Sequence, residues 1–317
     1  MDRSGVTQLS STIEGMTTQR LAGRTAIVTG ASRGLGKAIA VAFAQEGASV
    51  AVVARTESQW NERLPGTIHE TVAEIEAAGG RAVAVAADLS RMDEVEQAYR
   101  TAREALGPIG ILVNNAALTV PGRPPRDDEV SPARSSRATS GSTATSTSGS
   151  PRPAGPFGSF LDFPLAGFQR HFAVGLFASY RLMQLVLADM IAARRGSIVN
   201  ISSVAGLMPG EGPYRNAGSP GPIAYGGNKA ALHHLTQCVA LETQRHGIAV
   251  NVLSPSEPVI TPGNLYAAAN ETDWASPQDF AEATVRVALL DPNVTTGQLL
   301  WDADVLHPEL GRRGWLR

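Results

Sequence analysis

The residues with the clearest chemical potential are Tyr225 and Lys229, in the stretch YGGNK. Their spacing of four puts both side chains on one face of a helix. A lysine ammonium close to a phenol favours the phenolate, so it lowers the pKa of the tyrosine toward working pH. The pair therefore predicts a general acid–base group that exchanges a proton with a substrate oxygen.

Two hydroxyl groups precede this pair in the chain. A predicted strand over 197–201 ends in Ser202 and Ser203. A hydroxyl at that position can lie beside the same substrate oxygen as the tyrosine. A tyrosine–lysine pair alone occurs often by chance, but in this order, after a serine-ended strand, it indicates an active site.

A glycine-rich turn, TGASRGLG, follows the first predicted strand and contains Gly30, Gly34 and Gly36. Glycines let the chain turn tightly and bring backbone N–H groups against a pyrophosphate, while the following helix offers its positive end. The spacing is Gly-x-x-x-Gly-x-Gly and differs from the commonest dinucleotide fingerprint. Its place between a strand and a helix still predicts a dinucleotide site.

The residue after the second predicted strand indicates which dinucleotide is favoured. Arg55 stands there, where an acidic residue would hold the ribose 2′-hydroxyl. An arginine cannot accept that hydrogen bond, but it can pair with a 2′-phosphate. Arg33 in the glycine turn adds a second cation. We predict a preference for NADP(H) over NAD(H); the alternative is two solvated surface arginines.

Short β-branched runs alternate with longer amphipathic stretches along most of the chain. Near-continuous apolar strands alternating with helices predict a parallel sheet covered on both faces, in a doubly wound, Rossmann-like α/β domain. The predicted strands are 25–29, 50–54, 82–86, 111–114, 197–201, 249–253 and 298–301. The predicted helices are 35–46, 68–78, 92–105, 168–192, 225–244 and 277–289.

Three segments are predicted to lie outside this single domain, which spans 21–305. Residues 1–20 form a polar tail without a sustained period, and 306–317 form a C-terminal extension. The insertion 121–156 is rich in Ser, Thr and Pro and cannot bury enough apolar surface to offset the entropy of ordering it. We predict a flexible insertion there.

The composition excludes several classes of function. The chain has 317 residues, is 43% hydrophobic and carries a net charge of −2. This charge lacks the basic excess that is typical of nucleic-acid-binding proteins. No run of the sequence approaches the roughly 20 apolar residues of a membrane span. One cysteine forms no internal disulfide, and no Cys/His cluster has metal-ligand spacing. The N-terminus does not read as a secretory signal. A soluble cytoplasmic protein without a metal site is expected.

These motifs together resemble the short-chain dehydrogenase/reductase family over about residues 21–304, apart from the insertion. The matching motifs are TGASRGLG, Asp88-Leu89, NNAA from Asn114 to Ala117, NISS ending at Ser203, YGGNK and NVLSP ending at Pro255. The resemblance implies a nicotinamide oxidoreductase that interconverts a carbonyl and a secondary alcohol on a small organic substrate. It also implies a homodimer or homotetramer built on the helices that carry Gly175 and Tyr225.

The resemblance implies a role for each matching residue. Tyr225 is the expected general acid/base, Lys229 holds the nicotinamide ribose, and Ser203 donates a hydrogen bond to the reacting oxygen. The expected cofactor-binding residues are Gly30, Ser32, Arg33, Gly34, Leu35, Gly36, Arg55, Asp88, Leu89, Asn114, Ala116, Tyr225, Lys229 and Thr261.

Three positions depart from the family pattern. Ala117 and Ser256 replace glycines in turns, and Gly175 replaces an asparagine that helps to hold a water linking the lysine to solvent. The change at Gly175 implies lower activity or a relay that is built differently. It motivates an alternative function: a dinucleotide-binding protein with little catalysis that acts as a sensor or assembly partner.

The interval between Ser203 and Tyr225 is also longer than is usual in the family. The extra residues, 210–222, form a Gly/Pro-rich loop. Either this region helps to select the substrate, through Met208, Tyr214 and Arg215, or it is a surface loop that touches nothing. Three further side chains are given structural interpretations. We expect helix-surface or packing positions for His233 and His234, and a small core hydrophobe at Cys238.

Overall fold

Seven parallel strands form one sheet, in the order β3-β2-β1-β4-β5-β6-β7. They are β1 (Thr25–Thr29), β2 (Ser49–Ala54), β3 (Arg81–Ala86), β4 (Ile111–Asn114), β5 (Gly196–Ile201), β6 (Ile248–Ser254) and β7 (Leu299–Trp301). The computed structural model describes residues 19–119, 160–161, 163–207, 223–267 and 274–310. The predicted insertion and the loop with Met208, Tyr214 and Arg215 lie outside them.

Helices cover both faces of this sheet. They are α1 (Gly34–Gln45), α2 (Ile68–Ala77), α3 (Met92–Leu106), α4 (Leu165–Ala193), α5 (Ile223–Thr243), α6 (Pro262–Ala267), α7 (Pro277–Ala288) and α8 (Asp302–Leu306). Within α4, the segment Ala173–Phe177 is a π-helix. Short 3₁₀ turns occupy Val204–Gly206, Gln244–His246 and Pro308–Leu310.

The strands are apolar along their length because each face of the sheet is buried. Successive strand side chains point to opposite faces. Ala26 and Val28 belong to one core cluster, with α1 and α7, while Ile27 belongs to the other, with α3 and α4. The predicted doubly wound α/β fold is therefore confirmed.

The strand order reverses at β1, which pairs with β2 on one side and with β4 on the other. The chain thus builds one half of the sheet outward from β1 and the other half outward from β4. In open α/β sheets, ligands bind in the crevice at the carboxyl ends of the strands where the order reverses. The turns that follow β1 and β4 form this crevice here.

The chain enters the domain at Arg20. Its guanidinium lies 2.6 Å from carboxylate oxygens of both Glu46 and Glu282, and the next residue, Leu21, is fully buried. These ion pairs join the segment before β1 to the C-terminal end of α1 and to the middle of α7.

One helix in the described part of the chain, α4, is long and apolar enough by length and composition to cross a membrane. Half of its most apolar window is buried inside the domain. Core helices of soluble proteins pass the same test, so this finding is weak by itself. The exposed face of α4 also carries apolar side chains, including Phe177 and Tyr180.

Candidate active site

The glycine turn after β1 requires glycine at three places. Gly30 and Gly34 have φ angles of +67° and +55°, which side chains disfavour. A Cβ atom on Gly36 would overlap the Gly30 carbonyl oxygen and lie 2.5 Å from Asn115 Nδ2. Asn115 Nδ2 donates a 2.8 Å hydrogen bond to the Thr29 carbonyl oxygen. The turn after β4 therefore holds the glycine turn in place, a role of Asn115 that the motif analysis did not single out.

The first turn of α1 opens toward the crevice without a competing anion. Its N-cap residue, Arg33, makes no side-chain capping hydrogen bond, and no acidic residue lies in the first turn. The backbone N–H groups at a helix N-terminus attract anions because they are unpaired and carry the positive end of the helix dipole. This end of α1 fits a pyrophosphate.

Four of the other predicted cofactor residues contribute to packing around the turn. Ser32 is buried, and Leu35 packs against the core cluster of α1. Leu89 is buried in the opposite cluster. The Ala116 backbone N–H donates to Thr29 Oγ1 over 3.1 Å. These contacts fix the walls of the crevice.

Two arginines stand together where β2 ends. Arg33 Nη2 donates to the Gly66 carbonyl oxygen over 3.1 Å and to Thr56 Oγ1 over 3.3 Å. These contacts anchor the guanidinium to the loop between β2 and α2. Burial lowers the pKa of Arg33, and the positive charge of Arg55 lowers it further. The two cations therefore repel each other across this part of the crevice.

Asp88, after β3, lies within range of two arginines. Its Oδ2 is 3.7 Å from Arg55 Nη1 and 3.8 Å from Arg170 Nη2. Both the backbone N–H and the hydroxyl of Ser90 donate to Oδ1. Burial opposes ionisation, but these hydrogen bonds and the two arginine charges outweigh it, so the pKa of Asp88 lies below its ordinary value.

A buried polar network joins the sheet to α5. Asn114 Nδ2 donates to Asn200 Oδ1, and Asn200 Nδ2 donates to Thr236 Oγ1, each over 2.8 Å. These side chains come from β4, β5 and α5 and are all buried. The side chain of Asn114 thus points into this network. Hydrogen bonds of this kind fix the position of a helix on a sheet, although Asn114 Oδ1 itself has no partner among the described residues.

The predicted acid–base pair lies on α5, facing the end of β5. Lys229 is 2% exposed, and its Nζ donates a 2.6 Å hydrogen bond to the Ile201 carbonyl oxygen. The same Nζ is 5.7 Å from the centre of the half-buried Tyr225 ring. Burial lowers the pKa of Lys229 to about 8.

Two glycines allow α5 to pack closely against the 3₁₀ turn that follows β5. A Cβ atom on Gly226 would overlap the Ala205 carbonyl oxygen, and one on Gly206 would lie 2.9 Å from the His233 ring and 3.1 Å from Lys229 Cβ. Glycine, which has no Cβ atom, allows two backbone segments to come this close. The structure thus brings Ser203, Tyr225 and Lys229 to one end of the sheet.

The two serines at the end of β5 have different surroundings. Ser202 is buried, and its Oγ is 2.5 Å from His233 Nε2. Ser203 is half-buried, and its Oγ accepts the Ala205 backbone N–H over 3.2 Å. Burial, and then the charge of Lys229, lower the pKa of His233 to about 4. His233 is thus a packed, neutral partner of Ser202.

The prediction for Cys238 is wrong. The residue is exposed, and its Sγ lies 3.6 Å from His234 Nε2. Its residue type favoured the core, but the turn of α5 directs it to solvent. The exposed face of α5 also carries His234 and Leu241.

The loop after β6 closes the other wall of the crevice. Ser256 donates its backbone N–H to Asp302 Oδ1 over 2.7 Å. Among the described residues, Arg194 alone is a non-glycine with a positive φ, so Ser256 stands there without backbone strain. Farther along, Thr261 lies against Gly34, with its Cβ 3.3 Å from where a Cβ of Gly34 would be. The glycine turn and Thr261, a predicted cofactor-binding residue, therefore face each other.

The loop between β2 and α2 reaches α6. The Arg63 guanidinium lies 4.2 Å from the centre of the Tyr266 ring, and its Nη2 donates to the Tyr266 carbonyl oxygen over 3.3 Å. Cation–π contacts of this kind are weak at exposed sites. The contact connects the loop that carries the arginine cluster to the helix that follows Thr261.

Comparisons with known proteins agree with this arrangement. The family model for short chain dehydrogenases matches residues 24–137 and 153–269. An L-rhamnose 1-dehydrogenase (NAD(P)(+)) from Sphingomonas sp. (strain SKA58) is 30% identical over 267 residues, which cover 83% of this chain and 82% of that protein.

Solved structures give the same result. A short chain dehydrogenase structure from Mycobacterium thermoresistibile has a TM-score of 0.69 and 28% identity, covering 92% of this chain and 89% of that one. A 7 alpha-hydroxysteroid dehydrogenase complexed with NADH and 7-oxo glycochenodeoxycholic acid has a TM-score of 0.65 and 26% identity, covering 90% of this chain and 94% of that one. The chain therefore belongs to the short-chain dehydrogenase/reductase family, whose NAD(P)-dependent oxidoreductases act on CH–OH groups.

Proposed function

We propose that the protein is an NADP(H)-preferring enzyme that interconverts a small carbonyl compound and the corresponding secondary alcohol. The observation that carries the cofactor preference is the arginine pair at the end of β2. Arg33 and Arg55 repel each other there, and a 2′-phosphate between them would relieve that repulsion. NAD(H), which lacks the 2′-phosphate, would leave the repulsion between the two arginines in place. Among the relatives, one acts with NAD(P)(+) and another binds NADH, so the family alone does not fix the preference.

The surroundings of Asp88 support the same preference. An acid beside Arg55 competes with a phosphate for the guanidinium. Here Asp88 has other partners: Arg170 Nη2 lies 3.8 Å from its Oδ2, and Ser90 donates two hydrogen bonds to its Oδ1. Its 3.7 Å separation from Arg55 is too long for a hydrogen bond. A phosphate near Arg55 would therefore break no direct hydrogen bond to Asp88, which stays compensated by Arg170 and Ser90.

We propose that Tyr225, Lys229 and Ser203 carry out the proton chemistry. In reduction, the Ser203 hydroxyl donates a hydrogen bond to the substrate carbonyl oxygen, and the Tyr225 hydroxyl transfers its proton to that oxygen. Bound reduced nicotinamide supplies the hydride. The Lys229 ammonium, buried beside the ring, stabilises the phenolate that remains. Oxidation of the alcohol uses the same groups in reverse.

The environments of the two serines support Ser203 in this role. Ser202 is buried and engaged with His233. The Ser203 hydroxyl uses a lone pair to accept the Ala205 N–H, which leaves its own proton available for a substrate oxygen. Ser203 is therefore the better donor of the two.

A cofactor titration tests the proposed preference. We expect the unmodified protein to bind NADPH much more tightly than NADH. The fluorescence of the nucleotide measures the binding of each. Arg55→Asp removes a charge-assisted contact with the 2′-phosphate and adds repulsion. We expect NADPH to lose about 3 kcal/mol of binding free energy relative to NADH, which lowers the NADPH/NADH affinity ratio about 100-fold. The matched control is Arg100→Asp, which makes the same charge change on the exposed surface of α3. An unchanged ratio in Arg55→Asp would refute the assignment.

A further inference from the structure

Position 175 lies at the centre of the π-helical segment of α4, against α5. Gly175 is buried there. A Cβ atom at this position would lie 2.5 Å from Asn228 Oδ1 and 3.0 Å from Asn228 Cγ, closer than unbonded atoms tolerate. The amide of Asn228 thus occupies the space that any side chain at position 175 would need. The two positions share one space that holds one side chain.

The amide of Asn228 is buried and only half satisfied. The residue is 1% exposed, and its Nδ2 donates to the Ala224 carbonyl oxygen over 2.9 Å. Its Oδ1 is buried and has no hydrogen-bond partner among the described residues. Buried polar atoms without a partner are rare in native proteins, and each one calls for a use. An acceptor oxygen is thus held inside the domain, pointing toward Gly175.

Asn228 adjoins the acid–base pair in the sequence of α5. Asn228 is three residues after Tyr225, a spacing at which helical side chains are neighbours, and it immediately precedes Lys229. The Lys229 ammonium has three protons, of which the Ile201 carbonyl oxygen takes one. Oδ1 has no direct hydrogen-bond partner among the described residues, so it does not contact the ammonium directly. One water that accepts a hydrogen bond from the ammonium and donates one to Oδ1 would favour the charged form of Lys229.

We propose that Asn228 is a positioning residue for the acid–base pair, with Oδ1 as an acceptor that stabilises the Lys229 ammonium, and that Gly175 provides the room for it. This inference rests on the proposed function. The backbone of the π segment supports it, because Ser179 Oγ donates to the Gly175 carbonyl oxygen over 3.1 Å. That hydroxyl already engages the main-chain carbonyl at position 175, and Asn228 Oδ1, which has no partner among the described residues, is a side-chain acceptor close to it.

The test moves the amide from one position to the other. The variants are Asn228→Ser, Gly175→Asn and the double variant, with Asn293→Ser, an exposed asparagine, as the matched control. The first readout is the titration of the Tyr225 phenol in the cofactor-free protein, obtained from ultraviolet absorbance against each variant's Tyr225→Phe derivative. The second is kcat against pH with NADPH and a carbonyl substrate.

We expect Asn228→Ser to weaken the Lys229 charge and so raise the midpoint of the Tyr225 titration by about one pH unit. Its kcat should fall about tenfold, while NADPH affinity stays unchanged. Gly175→Asn forces two side chains into one space. This variant should be less stable and less active than both the unmodified protein and the double variant. The double variant should recover most of the activity and the midpoint. If Asn228→Ser fails to fold, the double variant, which refills the space, carries the test.

Two results would overturn the inference. One is an Asn228→Ser titration midpoint equal to that of the unmodified protein. The other is a double variant no closer to the unmodified midpoint than the Asn228→Ser single variant. Neither measurement needs turnover. A protein that shows the expected midpoint shift but reduces no carbonyl substrate would contradict the proposed function and leave Asn228 as the positioning residue.

Discussion

The two ends of the crevice differ in how they hold charge. At the end near Arg33 and Arg55, Arg55 and Asp88 are separated by 3.7 Å, and both side chains retain some contact with solvent. At the proton-transfer end, Lys229 is 2% exposed and is held by a 2.6 Å hydrogen bond. The first region is partly exposed and holds charges of both signs, whereas the charge of the second is almost fully buried.

This difference determines how each end responds to substitution. Charges that keep contact with solvent interact through a higher effective dielectric than buried ones, so substituting one arginine changes the charge at this end without repacking its neighbours. In the packed region, a side chain depends on the space and hydrogen bonds that its neighbours leave. Changes of cofactor preference are therefore expected from single substitutions, whereas changes to the proton-transfer end require coupled ones.

The largest expected effect separates catalysis from binding. Tyr225→Phe keeps the ring but removes the proton that reaches the substrate oxygen. We expect kcat for carbonyl reduction to fall about 10³-fold, with NADPH affinity unchanged. The measurement is NADPH consumption by absorbance, together with the nucleotide titration. If turnover persists in Tyr225→Phe, Tyr225 is not the acid. If biological activity survives without turnover, the alternative role as a dinucleotide-binding protein is favoured.

The next effect concerns pH. Burial lowers the pKa of Lys229 to about 8, so its ammonium is present below this pH and is lost above it. Because kcat/KM reports the free enzyme, we expect kcat/KM for reduction to fall about tenfold per pH unit above about pH 8. The apparent value belongs to the Tyr225–Lys229 pair.

The pH control is Ser203→Ala, which should lower kcat/KM at every pH but leave the position of the alkaline limb unchanged. A profile that stays level to about pH 10, near the ordinary lysine value, would show that the Lys229 charge does not limit the reaction.

The smallest effect concerns salt and sharpens the contrast between the two ends. We expect NADPH affinity to weaken about threefold more than NADH affinity between about 0.05 and 0.5 M NaCl, because salt screens partly exposed charges. The alkaline limb of kcat/KM should not move, because Lys229 is buried. Equal weakening of both nucleotides would show that the two arginines contribute no net attraction to the 2′-phosphate.

Much of the sheet could be predicted from sequence because both its faces are buried. The run VAVVA, for example, fixes β2 to within a residue, since β2 spans Ser49–Ala54. The short helices α6 and α8 were not predicted. Their six and five residues are too few to show an apolar period. The π segment around Gly175 depends on what α5 presents to it, which no local pattern contains.

The candidate site divides in the same way. Motif spacing predicted the positions of Tyr225, Lys229 and the glycine turn, because spacing within one helix or turn fixes geometry. The contacts of Arg33 with Gly66 and of His233 with Ser202 join residues about 30 positions apart. Cys238 shows the limit of residue type: a thiol suits the core, yet the phase of α5 exposes it.

The shared space between Gly175 and Asn228 also constrains how this chain can change over generations. A Cβ at position 175 would lie 2.5 Å from the amide oxygen of Asn228. A substitution at either position alone therefore gives poorer packing than the present pair of residues. The order of mutations then matters, and a selection from a library randomised at both positions should return compensated pairs rather than independent preferences. The two residues would be inherited as one choice.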